Sequence, residues 1–200
     1  NACGEGESVL KADGTLNGNG SNFTQWTPIG TGIQDFSGTF DGNGHTISGL
    51  YFNDENADAV GLFGHIFFGV IGVKVQNVGV VDSYIKGRKH VGGVVGWNMG
   101  GTVSNVYNAG AVSGDENVGG VVGYNDDDLK NDGALSNVYN TGAVSGNSNV
   151  GGVVGENDGN ISNVYNTGAV GGWSEVGGVV GYNEGKIVSN VYNTGAVSGT

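Results

Sequence analysis

Four aspartates crowd one short stretch of the chain, Asp126, Asp127, Asp128 and Asp132 in "DDDLKND". Carboxylates at that density suit two kinds of chemistry. They can offer oxygen ligands to a hard cation such as Ca2+, or two of them can act as acid and base in glycoside hydrolysis when held roughly 5 to 9.5 Å apart across a cleft. A run of neighbouring aspartates is more often a solvated loop. A weak Ca2+ site is therefore the most these residues imply, and no other cofactor is expected. Basic chemistry is confined to "KGRKH", where Arg88, the only arginine, stands with Lys86, Lys89 and His90. That segment reads as a solvated basic turn. His45, His65 and His90 have no partner at the spacing of a metal site or a catalytic triad, and neither "HExxH" nor "GxSxG" occurs. No catalytic residue is assigned, and the chain reads as a non-enzyme.

The aspartates also interrupt a repeat. "VGGVVG" recurs at 91–96, 118–123, 150–155 and 176–181, and "SNVYN" follows each copy. The units 91–117, 118–149, 150–175 and 176–200 run to 27, 32, 26 and 25 residues, the second being long because of the aspartate insertion. A divergent copy occupies 59–90, with "AVGLFG" in place of "VGGVVG", and 34–58 reads as one more coil. The short valine-rich runs favour strands, while each glycine would cost a helix about 1 kcal/mol against alanine. The pattern predicts an all-β chain, a right-handed parallel β-helix (β-solenoid) of about 25–32 residues and three short strands per coil, with glycine at the positive-φ corners. Residues 1–33 are off period and are the natural cap. The last unit reaches Thr200 unchanged, so stacking of solenoid ends is a route to self-assembly.

Registry in such a fold stacks identical residues into columns. Asn105, Asn137, Asn163 and Asn190 form one, Asn108, Asn140, Asn166 and Asn193 a second, and Asn98, Asn125, Asn157 and Asn183 a third. Stacked carboxamides can bond along the axis as asparagine ladders, and Tyr107, Tyr139, Tyr165 and Tyr192 can stack their rings. One column varies: Trp97, Tyr124, Glu156 and Tyr182. With Trp173 it is the candidate contact strip for a sugar or a protein. The threonine column of Thr141, Thr167 and Thr194, with Ala109 in the first copy, is too short to favour ice.

Composition narrows the partners. Glycine supplies 43 of 200 residues without a three-residue period, while hydrophobics at 37% and aromatics at 9% leave enough apolar surface for a core. A net charge of −12 repels phosphate backbones and anionic membranes, which argues against nucleic acid. No run approaches the length needed to insert in a membrane. The single cysteine, Cys3, cannot form an internal disulfide.

"VGGVVGxN…SNVYNTGAVSG", preceded by "FSGTFDGNGHTISGL", resembles the GLUG-motif repeats of bacterial surface and secreted proteins over roughly residues 26–200. The resemblance implies a right-handed β-solenoid in an extracellular or cell-surface setting, with no catalytic residues to carry over. "FDGNGHTISG" also looks like the opening coil of pectin-lyase-like β-helices, whose chemistry pairs calcium-binding carboxylates with a basic residue. Two functions follow as expectations. The first is a structural or adhesin module whose partners are surface proteins, glycans or copies of itself; the second is a polysaccharide-binding or polysaccharide-cleaving β-helix.

Overall fold

The computed structural model describes residues 7–67, 72–128, 131–184 and 186–199, and among these every regular element is a strand. The chain winds repeatedly past the same four faces, each a parallel ladder. Face I stacks Thr39–Ser48, Lys74–Val81, Thr102–Asn108, Ala134–Asn140, Asn160–Asn166 and Val188–Asn193. Face II stacks Tyr51–Asn53, Tyr84–Lys86, Ala111–Ser113, Val144–Ser145, Val170–Gly171 and Val197–Ser198. Face III holds Lys89–Gly92, Glu116–Gly119, Ser148–Gly151 and Ser174–Gly177. Face IV holds Phe63–Phe67, Val95–Met99, Val122–Asp128, Val154–Asn157 and Val180–Asn183. The β-solenoid expected from the repeat is the fold.

Pairing is column on column. Ser136 faces Ser104 and Ser162, Val138 faces Val106 and Val164, and Tyr139 faces Tyr107 and Tyr165. The inward members are mostly branched aliphatics, including Val75, Val103, Leu135 and Ile161 in one column, all at most 1% exposed. Valine suits this position because its branched side chain packs on a pleated surface at little rotamer cost.

Two details depart from the sequence reading. Each full coil has four strands rather than three, because "VGGVVG" is two strands meeting at a corner, Lys89–Gly92 and Val95–Met99 in the first copy. An unbroken apolar run hides such a corner, since periodicity cannot mark where the chain turns. Nor, beyond Gly100, is glycine the left-handed residue of the repeats. Every described glycine with positive φ lies at or before Gly100, whereas Asn105, Asn137, Asn163 and Asn190 adopt φ of 54°, 55°, 55° and 52°. Asparagine tolerates this region best among residues with a side chain.

The glycines serve close approach instead. A Cβ on Gly152 would lie 2.1 Å from the Gly178 carbonyl oxygen and 2.5 Å from the Asn166 carboxamide carbon, and one on Gly120 would meet Gly152 and Asn140 in the same way. The second glycine of "VGG" therefore makes room for the last asparagine of "SNVYN". The first coil shows the converse. Val80 stands in register with Asn108, and Leu62, bonded through its N–H to the Gly93 carbonyl, fills the corner; both are buried.

Residues 7–38 run against the first coil. The Val9 and Leu10 N–H groups donate to the Asp82 carboxylate, Val9 and Tyr51 form a small apolar cluster, and Trp26, Ile29 and Phe36 pack on the main core. Ile29 and Phe36 bridge to Phe63 and Ile66, so this segment covers the outer edge of face IV. The aspartate insertion leaves face IV as a hairpin, with Asp127 opposite Asp132 and Asp128 opposite Asn131. Cys3 and the side chains of Asp128 and Asp132 lie outside the described residues.

Gly152→Ala is expected to lower stability by about 3 kcal/mol, the upper range for overpacking a close-packed site. Urea unfolding followed by circular dichroism checks it; a cost under about 0.5 kcal/mol would refute the close-approach role.

Candidate functional site

Three asparagine columns and a fourth that the sequence concealed organise the polar groups. Asn98 Nδ2 donates to Asn125 Oδ1 at 2.7 Å, Asn125 to Asn157 at 2.7 Å and Asn157 to Asn183 at 2.8 Å. Asn108, Asn140, Asn166 and Asn193 repeat the arrangement at 2.9, 2.9 and 2.8 Å. In both ladders each carboxamide also closes a turn of its own coil: Asn140 Nδ2 donates to the Gly142 carbonyl and Asn140 Oδ1 accepts from the Gly142 N–H. All but the last member of each are fully buried. Donation runs toward the C-terminal coil, so the first members present no unpaired N–H to Ile66 and Val80, the apolar residues beside them in the first coil.

The third column is exposed and runs the other way. Asn77 Nδ2 donates to Asp41, Asn105 to Asn77 and Asn137 to Asn105, and Asn190 donates to Asn163. The concealed column is His90, Asn117 and Asn149, all at positive φ, with Asn117 Nδ2 3.2 Å from His90 Nδ1 and Asn149 donating to Asn117 at 2.9 Å. Its signal was the "NVGG" at 117 and 149, masked because the unit beginning at 91 has His90 there and that beginning at 176 has Glu175.

The tyrosine column stacks as expected. Centroids of Tyr107, Tyr139, Tyr165 and Tyr192 are 4.8, 4.8 and 5.0 Å apart, with ring planes within 5°. Burial, then the neighbouring phenols, push the Tyr139 hydroxyl up from its ordinary range; Tyr165 shifts the same way. A groove of about 600 Å³ lies between this stack and the exposed asparagines.

The contact strip is only partly as expected. Trp97, Tyr124, Glu156 and Tyr182 occupy one column of face IV, below His65. Trp173 does not join them: it precedes a face III strand at another corner and is 74% exposed. His65 sits 4.7 Å from Trp97, and His90 5.0 Å from Trp97 and 5.4 Å from Tyr124, so these rings pack on one another. A row of carboxylates runs beside them. Trp97 Nε1 donates to Asp126 at 3.2 Å, the Tyr124 hydroxyl to Asp158 at 2.7 Å and the Tyr182 hydroxyl to Glu184 at 2.9 Å. Burial raises the Asp126 and Glu156 pKa values, with Asp158 adding repulsion. Burial also raises Tyr124 and lowers His90.

Asp127 points away from this row and pairs with Lys186 at 2.5 Å. Among the described residues no group of three His, Cys, Asp or Glu side chains is placed to hold a metal. The basic turn is neutralised in place: Arg88 pairs with Asp58, Lys89 with Glu116 and Lys86 with Glu55. His45 is exposed, and His65 Nδ1 contacts Asp35 at 2.5 Å.

Four stacked ladders, registered columns and a unit of 25–32 residues define a β-solenoid repeat protein. A family model described as the GLUG motif matches residues 87–113, 114–145, 146–171 and 174–198, more than half of the chain. The chain belongs to the GLUG-motif family. It is 35% identical to halomucin of Haloquadratum walsbyi over 108 residues, 52% of this chain and 1% of that protein. It is also 35% identical over 83 residues to a protein of Evansella cellulosilytica named as a Gly-rich membrane protein, covering 40% of this chain and 9% of that one. The chain thus spans a small fraction of either relative. A crystal structure from Bacteroides ovatus, described as an immunoglobulin A1 protease, superposes with a TM-score of 0.58 at 24% identity over 88% of this chain and 57% of that one. At that identity the likeness concerns fold alone.

The raised carboxyls give a pH prediction. A carboxyl with a folded pKa above its unfolded one binds its proton more tightly in the native state, so the stability it adds is present below the unfolded pKa and lost as pH rises through the folded one. Glu156→Gln should therefore stabilise the fold near neutral pH, and the gain should vanish once pH falls below the ordinary carboxylate range. Urea midpoints at the two pH values check it; a gain independent of pH would contradict the burial argument.

Proposed function

We propose that the chain is a non-enzymatic structural and adhesive module of a cell-surface or secreted protein, a stalk-like run of coils that presents a repeated surface. One observation carries this reading: Arg88 and Asp126, the basic and acidic groups that a polysaccharide-cleaving β-helix would draw on here, are engaged. Arg88 is held by Asp58, Asp126 accepts from the Trp97 indole, and the buried carboxamides bond to one another. Repetition also disperses side chains along the axis, whereas catalysis needs different groups to converge on one reacting atom. The surface setting is supported by the relatives' names, halomucin and a Gly-rich membrane protein.

Incubation of the purified chain with uronic-acid and neutral polysaccharides, with and without Ca2+, should release no new chain ends. Turnover that disappears in Arg88→Ala or Asp126→Ala would overturn the reading in favour of a polysaccharide-cleaving β-helix.

A further inference from the structure

We propose that the face I groove between the exposed asparagines and the tyrosine stack is a binding track for a neutral β-linked glycan lying along the solenoid axis, one sugar to a coil. This rests on the surface-module reading and names its ligand class. One wall carries the carboxamides of Asn137, Asn163 and Asn190, the other the rings of Tyr139, Tyr165 and Tyr192, with Val164 between. The same two columns line a smaller groove further toward the N-terminus, at Asn77, Asn105 and Tyr107.

The walls hold unused hydrogen-bonding capacity. Among the described residues the hydroxyls of Tyr107, Tyr139 and Tyr165 have no protein partner, and a phenol both donates and accepts. The exposed asparagine ladder is also interrupted inside the groove. Asn137 donates to Asn105 and Asn190 donates to Asn163, but no bond joins Asn137 to Asn163. Asn137 Oδ1 and Asn163 Nδ2 are therefore open where the groove is largest. The buried ladders have no such break over the same coils.

Charge and spacing select the occupant. The groove lining holds no charged side chain, so an amine finds no carboxylate there and a uronate no cation, on a chain whose net charge of −12 already repels anions. The rings repeat every 4.8 to 5.0 Å. An extended peptide advances about 3.3 Å per residue and falls out of step at once. A β-1,4-linked hexopyranose chain advances by close to one ring spacing per sugar, and its hydroxyls can meet the amides of one wall and the phenols of the other. The face IV strip is the poorer candidate, since its polar atoms are already engaged: Trp97 Nε1 donates to Asp126, the Tyr124 hydroxyl to Asp158 and the Tyr182 hydroxyl to Glu184.

Calorimetry with the hexamer and dimer of β-1,4-linked glucose tests the track. The hexamer should bind about tenfold more tightly than the dimer, and the double variant Tyr139→Phe, Tyr165→Phe should lose about tenfold, the range for two hydrogen bonds. Because the rings remain stacked, its melting temperature should be unchanged. Tyr124→Phe on face IV should bind normally. No binding of the hexamer, equal binding of a uronic-acid hexamer, or loss in Tyr124→Phe alone would overturn the proposal. Cleavage of the bound hexamer would overturn the non-enzymatic reading instead, so the two fail separately.

Discussion

A carboxamide taken out of water must have its donors and acceptor filled, or it costs roughly 1 to 3 kcal/mol. Asn140 meets that demand in two directions. Within its coil it bonds to both backbone groups of Gly142, closing the turn from face I to face II, and along the axis it donates to Asn166. Neither set suffices alone. The turn bonds fix where the chain bends; the axial bond fixes which residue of the next coil lies beneath. A slip of one residue would put Tyr165 or Thr167 instead of Asn166 beneath Asn140 and send the apolar columns to solvent, so the buried asparagines hold the register on which the valine core and tyrosine stack depend.

The same constraint explains the glycine content. The second glycine of each "VGG" is where the face III to face IV corner touches a buried carboxamide, and a Cβ at Gly93 would lie 2.5 Å from the Asn108 carboxamide carbon. Glycine and asparagine are thus paired features of one contact. Where the first coil replaces the asparagine with Val80, it replaces the glycine corner with Leu62, and both become part of the apolar core. The surface columns face a looser requirement, since water can serve their polar groups. That looseness is why Trp97, Tyr124, Glu156 and Tyr182 differ while Asn98, Asn125, Asn157 and Asn183 beside them do not.

Much of this was legible in the sequence because a parallel solenoid turns repeat alignment directly into pairing. "SNVYN" set under "SNVYN" is the observed face I register, and the three asparagine columns and tyrosine stack follow from it. Some of what stayed hidden is conformation that the repeat does not vary. The corner inside "VGGVVG" recurs identically in every copy, so no contrast marks it, and four strands read as three. The left-handed conformation of Asn105 and its equivalents is invisible for the same reason. The strip around Trp97 was visible as variation, but its rings pack inward through His65 and His90, residues from a neighbouring coil and face that local spacing does not connect. Trp173 looked similar by residue type, yet falls on a different corner.

The claim that axial carboxamide bonds hold adjacent coils in register is tested most directly by a double-mutant cycle on Asn140→Ala and Asn166→Ala, read by urea unfolding. These residues share a 2.9 Å hydrogen bond deep in the stack. Coupling of about 1 to 3 kcal/mol is the result expected of bonded neighbours. Costs that add within about 0.5 kcal/mol, the behaviour of independent sites, would mean that each asparagine serves only its own turn and that the register is set elsewhere.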